Sequence, residues 1–519
     1  MGKTGAKYRG PSRQQVSRTT SVRAPTGGLN SKDALSDMPP GDAIVLDNFF
    51  PDTTYVSLRN GYSAWSTGFP SWVESIFPYS GATGSKLFGV SGTAVYDATS
   101  SGAVGAAVVT GLTNARWEHT NIATAGGQYL YAMNGVDRPL LYDNSVWRKI
   151  NATSSIAITG VTTTLLRNPV VWKNRLWMIE DQTLNAWYLP TASIGGAAQK
   201  FPLTAIFKEG GQLQAIMTAS LTDGSTFDDY IFFLTTEGEI AMYRGQDPAV
   251  VGLFILTGMY KVGKPLGRRC WFKYGSDAII LCADGAVSLE KMISVGRKSQ
   301  DESISYKILH SITSDAQTYA NNFGWQGVVH PTGNKLYINV PQSTNNVQYQ
   351  YVMNTISSQW CRFTNWNAAT FQIQANNLYY GGATFIALAD VGNSDNNTAI
   401  NGTMKTAFNY FRTDQQKFVK MVRPLIQTSG TINPSIAVNV DFQDQPPTGN
   451  GTYIYTTGSA WDVSPWDTTP WASETFIQKD WKTVYGVGFA ISLYVKVSAL
   501  NISMNVQALD YVWEPGAIL

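Results

Sequence analysis

The chain has 519 residues, of which 44% are hydrophobic and only 14% charged, against about 25% charged in an average soluble protein. A formal net charge of +2 singles out no partner by bulk electrostatics, and no apolar run approaches the ~18 residues of a membrane-spanning helix. Glycine (47 residues), hydroxyl and amide side chains and aromatics (12%) take the place of charge, which suits strands and tight turns.

Residues 1–32 hold Lys3, Lys7, Arg9, Arg13, Arg18, Arg23 and Lys32, with no acid before Asp33. So few hydrophobes accompany them that the segment reads as a basic flexible arm, either loose or docked on an acidic neighbour or nucleic acid. Gly2-Lys3-Thr4 copies the end of a phosphate loop but lacks its upstream glycine, strand and helix. The same arm has no apolar stretch of the kind a secretory signal needs. Residues 33–80 carry a turn signal at Pro39-Pro40-Gly41 followed by strand-like residues, and are expected to form the N-terminal part of a platform domain.

Residues 81–405 contain a recurring hairpin. "KLFGVSGTAVYDA" (86–98), "QYLYAMNGVDRPLLYD" (128–143) and "DAIILCADGAVSLEK" (277–291) each set alternating apolar residues around a glycine-bearing turn. Aligned on the first strand, the anchors are Leu87, Leu130, Leu176, Ile231, Ile280, Leu336 and Leu378, in steps of 42 to 56 residues. One hairpin cannot bury both its faces, whereas four-stranded blades packed around an axis can. The fold expected is therefore all-β: a β-propeller of six to eight blades with degenerate repeats, plus a smaller β platform domain built from both chain ends. A row of sandwich hairpins is the competing arrangement. Helix is expected only over 203–221, interrupted by Gly210-Gly211, and over 301–312.

After residue 405 the period breaks, and residues 406–519 are expected to supply the C-terminal β-rich part of the platform. "PSIAVNVDFQ" (434–443) alternates, and residues 488–513 read as two long strands of one separate sheet turning near Leu500-Asn501. Between them lies "WDVSPWDTTPW" (461–471). Pro465 and Pro470 remove amide donors and push the residues before them to extended angles, so this is a strap rather than a helix. Its rings Trp461, Trp466 and Trp471 either cap this chain's own sheet or insert into a neighbouring subunit, since interface hot spots favour tryptophan.

Catalytic patterns are missing. Cys270, Cys282 and Cys361 are too few and odd in number for a disulfide framework. His119, His310 and His330 stand apart, without zinc-ligand spacing. "SLTDGSTFDDY" (220–230) approaches a sialidase-type Asp box, but Asp223 and Gly224 are adjacent where that pattern alternates; Asp228 and Asp229 suit a solvated turn. "DVGNSDNNTAIN" (390–401) is oxygen-rich without the ligand order of a calcium loop. The chain is thus expected to be no enzyme, with no catalytic, cofactor-binding or metal residues.

The two ends carry a resemblance. Gly28-Leu29-Asn30, Met38-Pro39-Pro40, the run Asp47 to Pro51 and Arg59-Asn60-Gly61-Tyr62 resemble the opening of tail nozzle (tubular tail or hub) proteins of short-tailed bacteriophages. The Ser-Pro-Trp strap followed by Trp481 and "YGVGFAIS" is similar to their C-terminal part. The resemblance implies a structural virion protein, a homo-hexameric ring below the head-to-tail adaptor, assembled in the bacterial host cytoplasm. Such a ring encloses the channel through which double-stranded DNA passes during genome ejection, and it offers docking sites for tail fibres or spikes. It also implies subunit or adaptor contacts through Asp47, Phe49, Phe50, Pro51, Trp461, Trp466 and Trp471. A receptor-recognition tail protein that binds host carbohydrate on the same propeller is the alternative.

Overall fold

The computed structural model describes residues 16–82, 84–222, 227–250, 252–295, 303–454 and 475–516. The chain divides into two units. One comprises 1–28, 33–58 and 399–519; the other comprises 29–32 and 59–398.

The larger unit is a seven-bladed β-propeller, counted over the described residues. The seven hairpins read from the sequence are the second and third strands of the seven blades, such as Gly84–Ser91 with Ala94–Asp97 and Asn377–Gly381 with Phe385–Ala389. Each hairpin is preceded by an inner strand: Val73–Gly81, Glu118–Thr124, Leu166–Trp172, Leu213–Thr222, Trp271–Tyr274, Gln326–His330 and Thr370–Gln374. Each inner strand touches the next blade, and Thr370–Gln374 touches Val73–Gly81, so the ring is closed. Apolar side chains between consecutive blades fill the core. Trp177, Phe233 and Leu213 lie between the third and fourth blades, and Phe232, Ile280 and Met217 between the fourth and fifth.

Two helix expectations are corrected. Within 203–221 the segment from Leu213 is the fourth blade's inner strand, pairing Ile216 with Phe233 and Thr218 with Ile231. Because both its faces are buried, its apolar run carries no period to distinguish strand from helix. The helix expected over 301–312 begins at Leu309 and runs to Tyr319, after a short 3-10 turn at Tyr306–Ile308. A further helix, Leu289–Val295, follows the fifth blade.

In the smaller unit the long strand Met504–Pro515 pairs with Lys417–Thr428, Val56–Leu58 and Arg18–Arg23. Ile491–Ala499 instead lies between Ile400–Thr406 and Ser435–Val440. The two strands read as neighbours in one sheet are therefore in different sheets. Their connection is an arch, and both can bury an alternating face against the other sheet. Gly402 shows how close the sheets come: a Cβ there would sit 2.7 Å from Leu58 Cδ1 and 2.8 Å from Phe49 Cε2.

The basic arm is not loose throughout 1–32. Arg18–Arg23 adds an edge strand to Met504–Pro515, where Thr20 Oγ1 accepts the Trp513 indole N–H at 2.9 Å and the Arg18 guanidinium lies over the Trp513 ring. Leu29 to Lys32 belongs to the propeller unit, with Lys32 Nζ 4.1 Å from the centre of the Tyr306 ring. The propeller also begins earlier than residue 81, at Arg59. The first blade's inner strand, Val73–Gly81, begins ahead of that expected boundary.

Candidate functional site

The Arg-x-Gly-Tyr motif at 59–62 closes the propeller. The strand Tyr62–Thr67 pairs antiparallel with Phe385–Ala389, so the last blade takes its outer strand from the start of the unit. Arg59 is 2% exposed and makes a bidentate ion pair with Asp395, at 2.7 and 2.6 Å. It also donates to the carbonyls of Asn60 and Thr364, each at 2.9 Å. The guanidinium stands 5.0 Å from the Trp366 ring centre, and the Trp366 indole N–H donates to the same carboxylate. The Gly61 amide donates to Gly392 and its carbonyl accepts from Val391. A Cβ at residue 61 would fall 1.8 Å from the Ser394 carbonyl oxygen. Gly61→Ala is expected to lower the melting temperature by several degrees, as an overpacking cost of about 1–3 kcal/mol against rigid backbone, read by thermal unfolding of the purified chain.

The oxygen-rich loop 390–401 is therefore built on cations of the chain itself. Asp395 holds Arg59, and Asp390 accepts from Lys335 Nζ at 2.6 and 2.7 Å with His330 Nδ1 at 3.5 Å. Burial alone would raise the Asp390 pKa, yet the His330 and Lys335 partners bring it down to about 2. The described residues contain no cluster of three metal-ligating side chains.

A second site lies on the propeller axis. A cavity of 180 Å³ is lined by residues at the leading ends of inner strands, among them Glu118, His119, Asn168, Gln326 and Gln372, together with Arg268 and Arg269 just before the fifth blade. Arg269 reaches across to the first two blades, donating to the Glu74 carbonyl (2.8 Å), Ser75 Oγ (2.7 Å) and the Trp117 carbonyl (3.1 Å). Its guanidinium also faces the Phe323 ring. Burial holds its pKa down to about 10. Burial, and then the charge of Arg269, brings the His119 pKa down to about 4, so its imidazole is neutral at pH 7. The sequence named only His119 among them, and as a histidine apart from any partner, because the residues that share the cavity come from separate blades far apart in the chain.

Of the interface residues expected from the sequence, Phe49, Phe50 and Pro51 form a buried strand paired with Val56–Leu58, and Phe49 sits fully buried. These side chains serve their own unit's core rather than an outer surface. Asp47 is half-buried at the end of Ala43–Asp47 opposite Thr403. Trp461, Trp466 and Trp471 lie outside the described residues. The smaller unit does expose several large apolar side chains: Ile454 (64%), Ile477 (56%) and Tyr485 (76%), with Phe476, Trp481 and Phe418 less so. The three cysteines are buried and unbridged, and burial pushes the Cys270 thiol up to about 12, far from a nucleophile's range.

No protein-family model matches the chain, and no curated protein matches it. Among solved structures it is similar to BBS1N in complex with ARL6DN, at 10% identity over 64% of this chain and 97% of that one, with a TM-score of 0.40. A quinonprotein alcohol dehydrogenase-like protein from Bacteroides thetaiotaomicron is 12% identical over 59% of this chain and 66% of its own, with a TM-score of 0.32. The WD40 domain of SCAP from fission yeast is 8% identical over 59% and 81%, with a TM-score of 0.27. At these levels the propeller assignment rests on the strand pairing of the chain itself.

Proposed function

We propose that this chain is a structural subunit of a short-tailed bacteriophage tail. It would form the ring-shaped, hexameric nozzle below the head-to-tail adaptor, with a channel for the genome and seats for fibres or spikes. The observation that carries the reading is the place of the Arg59-to-Tyr62 motif, which belongs to the nozzle-like opening segment and locks the propeller ring through Asp395. The exposed Ile454, Ile477 and Tyr485 of the smaller unit offer apolar and aromatic side chains for self-association, of the kind that interface cores use. Virion tail location and adaptor binding follow from the same reading.

Native mass measurement and negative-stain imaging of the purified chain test it. The expected result is a six-fold ring with a central hole. Ile477→Asp together with Tyr485→Asp should leave folding intact and shift the particle to monomers, since an unpaired charge in an apolar contact is expelled. A wild-type chain that stays monomeric at every concentration would overturn the reading.

A further inference from the structure

The axial cavity contains more unmatched polarity than a structural plug needs. Arg269 Nη1 is buried without a hydrogen-bond partner. The ring nitrogens of His119 and the amide of Gln372 also lack protein partners among the described residues, and both side chains line the cavity. Glu118 faces the same space, held by the Asn168 backbone N–H at 2.9 Å, and it attracts the Arg269 charge across the cavity. Arg268 lines the rim, donating to the Asn134 carbonyl at 2.7 Å and keeping 40% exposure. Trp117, Trp271, Ile76 and Val170 supply apolar wall.

Donors and acceptors are thus mixed around one small space, and the positive and negative groups offset one another. A carboxylate ligand would satisfy the arginines but repel Glu118; an ammonium ligand would do the reverse. A hydroxyl suits both, because it accepts from Arg269 or Gln372 while donating to Glu118 or His119. Indole rings beside such groups give the C–H faces of a sugar something to pack against. The volume is enough for roughly six waters at about 30 Å³ each, or for one pyranose ring.

We propose that the axial cavity is a binding site for a neutral monosaccharide unit, held by Arg269, Glu118, His119 and Gln372, with Arg268 at the rim. This goes beyond the tail-ring reading and does not depend on it: a monomeric chain would keep the site, since every lining residue belongs to one propeller.

The test is calorimetry and saturation-transfer NMR on the full chain with glucose, galactose, mannose, rhamnose and N-acetylglucosamine at millimolar concentration. At least one should bind, and Gln372→Ala and Arg268→Ala should each weaken that sugar about tenfold, the loss of one hydrogen bond. Arg268 keeps 40% exposure, and unchanged melting of both variants would show that folding is retained. If no sugar gives heat or saturation transfer, the cavity holds only water and the proposal is wrong. If a sugar binds equally to wild type and both variants, the site lies elsewhere and the proposal is equally wrong.

Discussion

Arg59→Met is expected to lower the unfolding free energy of the propeller by about 3–5 kcal/mol, the cost of leaving a buried carboxylate without its cation. Asp395 would lose both guanidinium bonds and keep only Trp366 among the donors described for its side chain. Asp395→Leu should cost a similar amount, because it strands a guanidinium whose side chain is 0% exposed. The double variant Arg59→Met with Asp395→Leu should recover part of the loss, since an apolar pair replaces a desolvated ionic one. Urea unfolding of the four proteins closes the cycle. Single variants within about 1 kcal/mol of wild type would mean that the pair does not hold the ring shut. The last blade is where such a loss should appear first. Its outer strand is joined to the rest of its blade only through space, and Tyr62 of that strand packs its ring against Tyr380 and Phe385.

The second large effect is on pH. His119 has an ordinary pKa of 6.5 when unfolded and about 4 in the axial cavity. Between those values the unfolded chain takes up a proton that the folded chain refuses. Stability from this group is therefore complete above pH 6.5 and is lost as pH falls through 6.5 toward 4, by about 3 kcal/mol in all. Arg269, Arg268 and Glu118 are the charged groups around it, and Arg269 is the one that adds to burial in disfavouring the imidazolium. His119→Leu should flatten this limb of the stability–pH curve. Asp390 titrates in a separate window. Its pKa of about 2 lies below the ordinary 3.8, so its contribution is kept above pH 3.8 and lost as pH falls toward 2. Denaturant unfolding at half-unit pH steps separates the two, and a His119→Leu curve that still falls between pH 6.5 and 4 would assign the proton to another group.

The hairpins were legible because a tight turn is a local event. Gly92 and Gly285 adopt φ of 58° and 102°, which glycine tolerates best, and the apolar alternation on either side is read within a dozen residues. The inner strands were not legible. Glu118, His119, Asn168, Gln326 and Gln372 interrupt their apolar pattern: all line a cavity that exists only once the blades surround it, and Asn168 and Gln326 also bond the backbone of the next blade, at Ile216 and Phe371. The stretch 213–221 failed in the opposite way, buried so evenly that it has no period. The motif at 59–62 was visible as a pattern, while its meaning lay 336 residues away at Asp395.

What the sequence by itself determined is the all-β character, the repeated hairpin and its spacing, for these depend on turn chemistry and alternation over short stretches. The tertiary structure decided the count of seven blades, the closure of the ring by Tyr62–Thr67, the splitting of the last two long strands between two sheets and the burial of Phe49 and Phe50 inside their own unit. Those outcomes depend on which surfaces meet after the chain has returned on itself, and contacts between residues hundreds of positions apart leave no mark on the local pattern.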